Sequence, residues 1–305
     1  MIKIYIKQIL KSYKKILSSF FAMLGIILSS YDIINIFLPK LFTNIKFNIN
    51  ELIILVIILL IISIIDNRPK LTRNFCIRNR DINIKVVVGD IFNQKGSKII
   101  PTNTSFDTCM ENEFISLKSI QGQFQNKYFK NNINVLDNMI TQSLSENKIV
   151  KKYDDGRTTK TACYDVGTVA EINYSEERYY LLALADVNKK GTPIAKYDNI
   201  ITSMQGLWDY LSENKHIDNL VIPIIGTGRA GIAEATRMRV IKEIILSFVA
   251  ISSENKVTDN LTLCIHPSDI QQNMVDIDEI FEYIEYTSKY RYEQIDIHND
   301  GTPIG

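Results

Sequence analysis

The sequence predicts an α/β protein in which a three-layer domain follows a hairpin of two membrane-length helices, and three observations predict it. Two long apolar stretches occupy the first 66 residues. Beyond Asp81, short apolar runs without polar alternation take turns with longer segments of helical period, as in a sheet covered by helices on both faces. The charge divides at the same place: residues 1–80 hold twelve Lys/Arg against Asp32, Glu51 and Asp66, whereas the remainder holds 23 basic and 31 acidic residues. The 305 residues, 46% of them hydrophobic, suffice for one large core with a smaller appendage.

Residues 1–15 form a basic N-terminal segment and residues 16–66 the hairpin. Ile16–Leu38 carries one formal charge, Asp32, and exceeds the roughly 20 residues needed to cross a hydrocarbon core. Leu52–Ile65 is more hydrophobic but shorter; extended back through Phe47 it also reaches spanning length, with Glu51 near one interface. Pro39–Lys46 joins the two. Five lysines, Lys3, Lys7, Lys11, Lys14 and Lys15, precede the first span, and Arg68, Lys70, Arg73, Arg78 and Arg80 follow the second, with only Lys40 and Lys46 between. Basic residues near span ends stay on the cytoplasmic side. Both termini and the domain are therefore expected in the cytoplasm, anchored to the cell's inner membrane. A cleaved signal peptide is the competing reading, but no small-residue cleavage site follows the first run and a second apolar run comes soon after.

Ser18, Ala22, Gly25, Ser29 and Asp32 recur at spacings of four and three, which sets small and polar side chains on one face of the first span. Such faces let helices approach closely in lipid, and an intramembrane acid usually faces protein or water. One reading is a self-association seam that lines a pore; the other is an ordinary hairpin with Asp32 near the outer interface.

Residues 67–80 read as a linker, 81–290 as the folded domain and 291–305 as a tail. Strands are expected at Ile82–Val88, Lys98–Ile100, Val169–Tyr174, Tyr179–Ala185, Leu220–Ile224 and Leu261–Ile265. Helices are expected at Asn112–Phe129, Val135–Glu146, Tyr197–Asn214, Ala233–Ser253 and Ile277–Tyr290. Lys148–Thr161 and Val187–Pro193 are polar connections.

Composition narrows the function. An acidic domain lacks the phosphate-neutralising surface on which nucleic-acid affinity rests, so no nucleic-acid partner is expected. Cys76, Cys109, Cys163 and Cys264 form no CxxC pair and no metal-ligand spacing with His216, His266 or His298, so no metal is expected and the thiols read as reduced and structural. No Ser/His/Asp or Cys/His constellation marks a catalyst; His266 and Asp269 lie close in sequence, but a strand-end His is more often structural.

Two loops lie at carboxyl ends of apolar strands, where open α/β sheets place their ligand crevice. In Val86-Val87-Val88-Gly89-Asp90-Ile91, Gly89 allows a sharp turn, and a carboxylate at Asp90 can accept from an exocyclic amine such as that of adenine. In the second, Leu220–Ile224 runs into Gly226-Thr227-Gly228-Arg229-Ala230-Gly231 before a helix near Ala233. Its backbone N–H groups and the helix N-terminus suit a diphosphate. The spacing also fits a dinucleotide-binding G-x-G-x-x-G, but Leu261–Ile265 ends in His266 rather than in an acid for the ribose, and the loop comes too late for a Rossmann half to follow.

The strand-Gly-Asp-Ile near the domain start, a strand into Asn103 a dozen residues on, and IPIIGTGRAG near the end together resemble the macro-domain family over roughly Asp81–Tyr290. That resemblance implies a three-layer macro-like fold that binds an ADP-ribose derivative and holds no cofactor. By it, Asp90 holds adenine with help from the Ile91 backbone. Gly226, Thr227, Gly228, Arg229, Ala230 and Gly231 wrap the diphosphate and proximal ribose, and Asn103 faces the distal ribose. De-ADP-ribosylating members carry an Asn-rich turn followed by a glycine run; here IIPTNTSFDT is followed by a segment with Gly122 alone, which argues for binding without hydrolysis. A membrane-bound ADP-ribosylhydrolase and a passive anchored reader are the rival readings. The segments TACYDVGTVAEINYSEERYYLLALADVN, NIITSMQGLWDYL and VIPIIGTGRAGI more closely resemble the membrane-anchored macro effectors of the Thoeris anti-phage system. This implies a conjugate of ADP-ribose, with histidine, as the signal, a TIR-domain partner that makes it from NAD, and homo-oligomerisation on activation.

Overall fold

The computed structural model describes residues 2–38, 48–78, 80–110, 115–147, 149, 152–153, 160–187, 193–213, 217–227, 232 and 235–291. The Pro39–Lys46 connection, Gly228–Gly231, the tail beyond 291 and most of the two polar connections lie outside these residues. The chain forms two compact units, residues 1–70 and 71–305.

The first unit holds three helices, α1 (Ile2–Lys11), α2 (Tyr13–Phe37) and α3 (Ile49–Asp66). Helices α2 and α3 are both long and apolar enough to cross a membrane, which suggests membrane anchoring. They form an antiparallel pair. Ser63, near the end of α3 and fully buried, donates its hydroxyl to the Ile16 carbonyl near the start of α2 at 2.6 Å. Asn48 and Glu51 close a capping box at the start of α3, which fixes where that helix begins. The basic N-terminal segment is itself helical, a feature the count of its lysines did not anticipate. Its apolar residues recur at helical spacing between the lysines.

The second unit is built on an eight-stranded mixed sheet. Its strands are β1 (Thr72–Cys76), β2 (Asn83–Val88), β3 (Ser97–Asn103), β6 (Val169–Tyr174), β7 (Glu177–Val187), β8 (Pro193–Ile194), β9 (Ile217–Pro223) and β10 (Thr258–Ile265); β4 (Lys152–Tyr153) and β5 (Ala162–Cys163) form a separate small ladder. The order is β1-β2-β10-β9-β3-β7-β6, with β8 added to β7. Strands β2, β10, β9, β3 and β7 are parallel, while β1 and β6 close the two sides antiparallel. All five central strands therefore end on the same edge.

Burial on both faces follows from the runs without alternation: Ile99 and Ile100, Tyr179 to Leu182, and Leu220 to Ile222 are all buried. One face packs against α4 (Ile120–Tyr128) and α5 (Ile133–Glu146), through Phe124, Phe129, Leu136 and Ile140 on Ile100, Ala170, Tyr179 and Leu181. The other carries α6 (Tyr197–Glu213), α7 (Arg237–Glu254) and α9 (Ile277–Tyr286), joined by Trp208 against Phe248 between α6 and α7 and by Phe75 of β1 against Phe281 of α9. A short α8 (Pro267–Gln271) follows β10. This is the expected three-layer arrangement.

Several boundaries differ from the sequence reading, and three of the differences have a clear physical reason. Residues 72–76, expected within a linker, pair as β1 with Asn83–Val87 of β2 and bury Phe75; five residues with one inward aromatic are too short for periodicity to flag. The helix expected from Asn112 begins at Ile120, because Ser119 caps it by accepting from the Gly122 N–H at 3.0 Å. The helix expected from Ala233 begins at Arg237, capped by Thr236.

Candidate functional site

A crevice of about 760 Å³ opens where the parallel strands end, within the size range of ligand pockets. Strand β2 delivers Gly89 and Asp90, β10 delivers His266, β9 leads to Gly226 and Thr227, and β3 delivers Thr102 and Asn103; all of them line it. Since β10 lies between β2 and β9, the order across the edge is Asp90, His266, Gly226–Thr227, Asn103. At the usual spacing between neighbouring strands, β2 and β3 are roughly 14 Å apart.

Asp90 is exposed, and its Oδ1 accepts from the Phe92 N–H at 3.0 Å, capping a single 3-10 turn, Ile91–Asn93. The carboxylate is thereby held in one orientation at the crevice mouth, and Ile91 is buried behind it. Gly89 donates its N–H to the Ile265 carbonyl at 2.9 Å, which ties this loop to β10. Beneath it sits Cys264. Burial, with a contribution from the Asp90 charge, pushes its thiol up to about 12, so this sulfur stays protonated and offers no nucleophile at neutral pH.

Gly226 has φ +71, and a Cβ there would lie 3.2 Å from both Ile200 and Ile232. The turn out of β9 thus needs glycine for conformation and for space. Thr227 follows with its hydroxyl 3.5 Å from the Ile224 carbonyl. Gly228, Arg229, Ala230 and Gly231, expected to complete the loop, lie outside the described residues. Downstream, Arg237 opens α7 and its Nε donates to Asp269 of α8 at 2.7 Å, both side chains lining the crevice. That pair holds a guanidinium, with Asp269 as its counter-charge, in the lining of the crevice.

Asn103 lies on the crevice wall, yet its side chain is engaged. Its Oδ1 accepts from the Ser105 and Asp107 N–H groups, each at 3.1 Å, and its Nδ2 donates to Asp107 Oδ2 at 3.2 Å. The amide therefore fixes the turn after β3 as well as facing the cavity. Next to it, the Thr102 hydroxyl is buried with no hydrogen-bond partner among the described residues, although Thr102 lines the crevice.

The segment Ile115–Gln123 forms a further wall that the sequence reading had not assigned to the site. Ser119 donates to the Ser116 carbonyl at 2.6 Å, and Gln121 donates to the Asp107 carbonyl at 2.7 Å. Gly122 lets this loop seat on α4, for a Cβ there would lie 2.2 Å from the Ser116 carbonyl oxygen. The signal available in the sequence was that single glycine, in the segment where a glycine run was sought. His266 accepts from the Ser268 N–H through Nδ1 at 3.3 Å, capping α8; its role there is structural, while its ring also borders the cavity. Arg237 and Asp269 carried no local signal, being 32 residues apart.

Ser18, Ala22, Gly25, Ser29 and Asp32 are exposed on α2, away from its contact with α3. Among the described residues no group of three or more His, Cys, Asp or Glu is placed to hold a metal ion.

The family model for the macro domain of Thoeris protein ThsA matches residues 84–266. Thoeris protein ThsA of Bacillus amyloliquefaciens (strain Y2) is 24% identical over 212 residues, covering 67% of this chain and 69% of that protein. Among solved structures, a macrodomain of Oceanobacillus iheyensis with ADPR is 13% identical with a TM-score of 0.48, covering 70% of this chain and 98% of that one. A Trypanosoma brucei macrodomain in complex with ADP-ribose is 10% identical with a TM-score of 0.42, covering 63% and 67%.

Proposed function

Because this chain belongs to the family of Thoeris ThsA macro domains, we propose that it is a membrane-anchored anti-phage effector whose macro domain binds an ADP-ribose-derived signal and whose hairpin carries the output. Membership implies a role in a defence system with other components. The signal in this reading is an amino-acid conjugate of ADP-ribose, with histidine, made from NAD by a TIR-domain partner, and its arrival drives self-association in the inner membrane until the membrane leaks.

The observation that carries the binding half is the order of groups along one sheet edge. An acid able to accept from an adenine amine, a glycine turn, and a wall around Thr102 and Asn103 follow one another across a crevice of about 760 Å³, whose lining also holds the Arg237 guanidinium paired with Asp269. A purine nucleoside, a diphosphate and a second sugar have the same sequence of chemistries. Support for the output half comes from the small-residue stripe of α2, which is exposed in the single chain and so remains open to a second copy. Binding would act by favouring an assembled state of the hairpins.

The test is the full chain in dye-loaded liposomes, titrated with ADP-ribose and its amino-acid conjugates, with binding followed in parallel by calorimetry. Saturable binding and ligand-dependent leakage are expected. Binding without leakage removes the effector half, turnover of the conjugate makes the protein a hydrolase, and no binding by any of these compounds removes the sensor.

A further inference from the structure

The crevice wall at Asn103 is held from behind by Asp107, a residue with no exposed surface. Two backbone N–H groups, those of Ser105 and Asp107, converge on one atom of the Asn103 amide at 3.1 Å each. Only the oxygen can take both, so the amide has a single orientation. Its nitrogen then donates one hydrogen to Asp107 Oδ2 at 3.2 Å. Asp107 is itself fixed: the Lys160 N–H donates to its Oδ1 at 3.3 Å, and its carbonyl accepts from Gln121 at 2.7 Å and from Gln125 at 3.4 Å. Gln121 lines the crevice from α4, so one aspartate joins the Asn103 turn to the wall Ile115–Gln123. Within that turn Phe106 is held at φ +49, a conformation that a residue other than glycine keeps only where its surroundings impose it.

We propose that Asp107 is a positioning residue that leaves Asn103 one function toward the ligand, a single N–H donor, so that the group bound there is a hydrogen-bond acceptor. This rests on reading the crevice as a site for an ADP-ribose derivative, and it adds the polarity of the distal group. Both lone pairs of Asn103 Oδ1 and one hydrogen of Nδ2 are engaged inside the turn, while the second hydrogen has no partner among the described residues. Asn103 lines the crevice and is only 8% exposed. A donor so placed is costly to leave unmet, and a ligand oxygen meets it. A sugar hydroxyl, a ring oxygen or a carboxylate joined to the sugar fits; an ammonium, which only donates, does not. Asp107 decides this because its carboxylate is an acceptor at both oxygens. A neutral amide at position 107 sets a donor against either Asn103 Nδ2 or the Lys160 N–H, and the turn loses its anchor.

The test is calorimetric titration of the full chain in detergent with ADP-ribose and with ADP, thermal melting being followed in parallel. The unsubstituted chain should bind ADP, which lacks the distal sugar, about tenfold more weakly than ADP-ribose. Equal affinities would overturn the proposal whatever the variants do, and binding of neither compound would remove the nucleotide reading beneath it. Asp107→Asn should melt lower and lose about tenfold in affinity for ADP-ribose; unchanged affinity would show that Asp107 positions nothing. The deciding variant exchanges the pair, Asn103→Asp with Asp107→Asn. A carboxylate at position 103 accepts from the same two N–H groups and from the new amide at position 107, whose oxygen takes the Lys160 N–H. Every bond of the turn is thus remade with the net charge unchanged, but the hydrogen offered to the ligand is gone. Melting should return most of the way to that of the unsubstituted chain, while affinity for ADP-ribose stays about tenfold down and that for ADP falls less. Recovery of ADP-ribose affinity together with stability would overturn the donor assignment. An exchanged chain that melts no higher than Asp107→Asn alone would overturn the bond pattern on which the positioning role depends.

Discussion

The residues of the crevice divide into those that set backbone and those that offer chemistry. Gly226 belongs to the first kind. Its φ of +71 strains any other residue, and the two isoleucine methyls 3.2 Å from a notional Cβ would have to give way. Gly226→Val should cost roughly 1–2 kcal/mol in conformation alone and shift the loop that leads to Thr227. The expected result is a lowered melting temperature together with at least a tenfold loss in affinity for ADP-ribose derivatives by calorimetry; unchanged affinity would remove the diphosphate from this turn. Asp90 does both jobs, since one carboxylate oxygen caps the turn at Phe92 while the group faces the cavity mouth. Cys264 illustrates the opposite case, a thiol at the cavity floor that burial holds protonated.

Among the elements, the wall Ile115–Gln123 and the start of α4 decide the shape of the crevice on the side of Asn103. The cap of α4 and the turn before it share one hydroxyl, Ser119, which accepts from Gly122 and donates to Ser116. Gly122→Ala should break this arrangement, because the new methyl would sit 2.2 Å from a backbone oxygen that has no freedom to rotate away. We expect the wall to move outward and the domain to stay folded. Affinity for a conjugate should then fall more than affinity for plain ADP, a difference that competition calorimetry measures. Equal losses for both ligands would show that this wall does not face the distal group.

For the whole molecule, the boundary between the two units falls ahead of β1, before Leu71. Strand β1 pairs along β2, Phe75 packs on Phe281 at 5.8 Å between ring centres, and Arg73 binds Glu285 at 2.6 Å. A fragment beginning at Leu71 should therefore bind nucleotide in solution as well as the full chain does in detergent. A fragment beginning at Asp81 exposes the β2 edge and removes a buried aromatic, and should melt lower by roughly 10 °C. Thermal denaturation of the two fragments checks this; equal stability would mean that β1 contributes only a cover to the edge.

The sequence by itself determined the two apolar helices, the charge division, six of the strands and the two loops with Asp90 and Gly226, because each is written in neighbouring residues as periodicity, glycine or a charged flank. The resemblance to macro domains rested on the same local features. Only the tertiary structure decided which strand ends stand side by side. Inserting β10 between β2 and β9 brings His266 between Asp90 and Gly226, and α7 with α8 brings Arg237 to Asp269 across 32 positions of chain. It also decided that Asn103 braces its own turn and that Ile115–Gln123 closes the cavity. Such contacts depend on long-range packing, in which the free energy of the assembled sheet selects partners that no local pattern names.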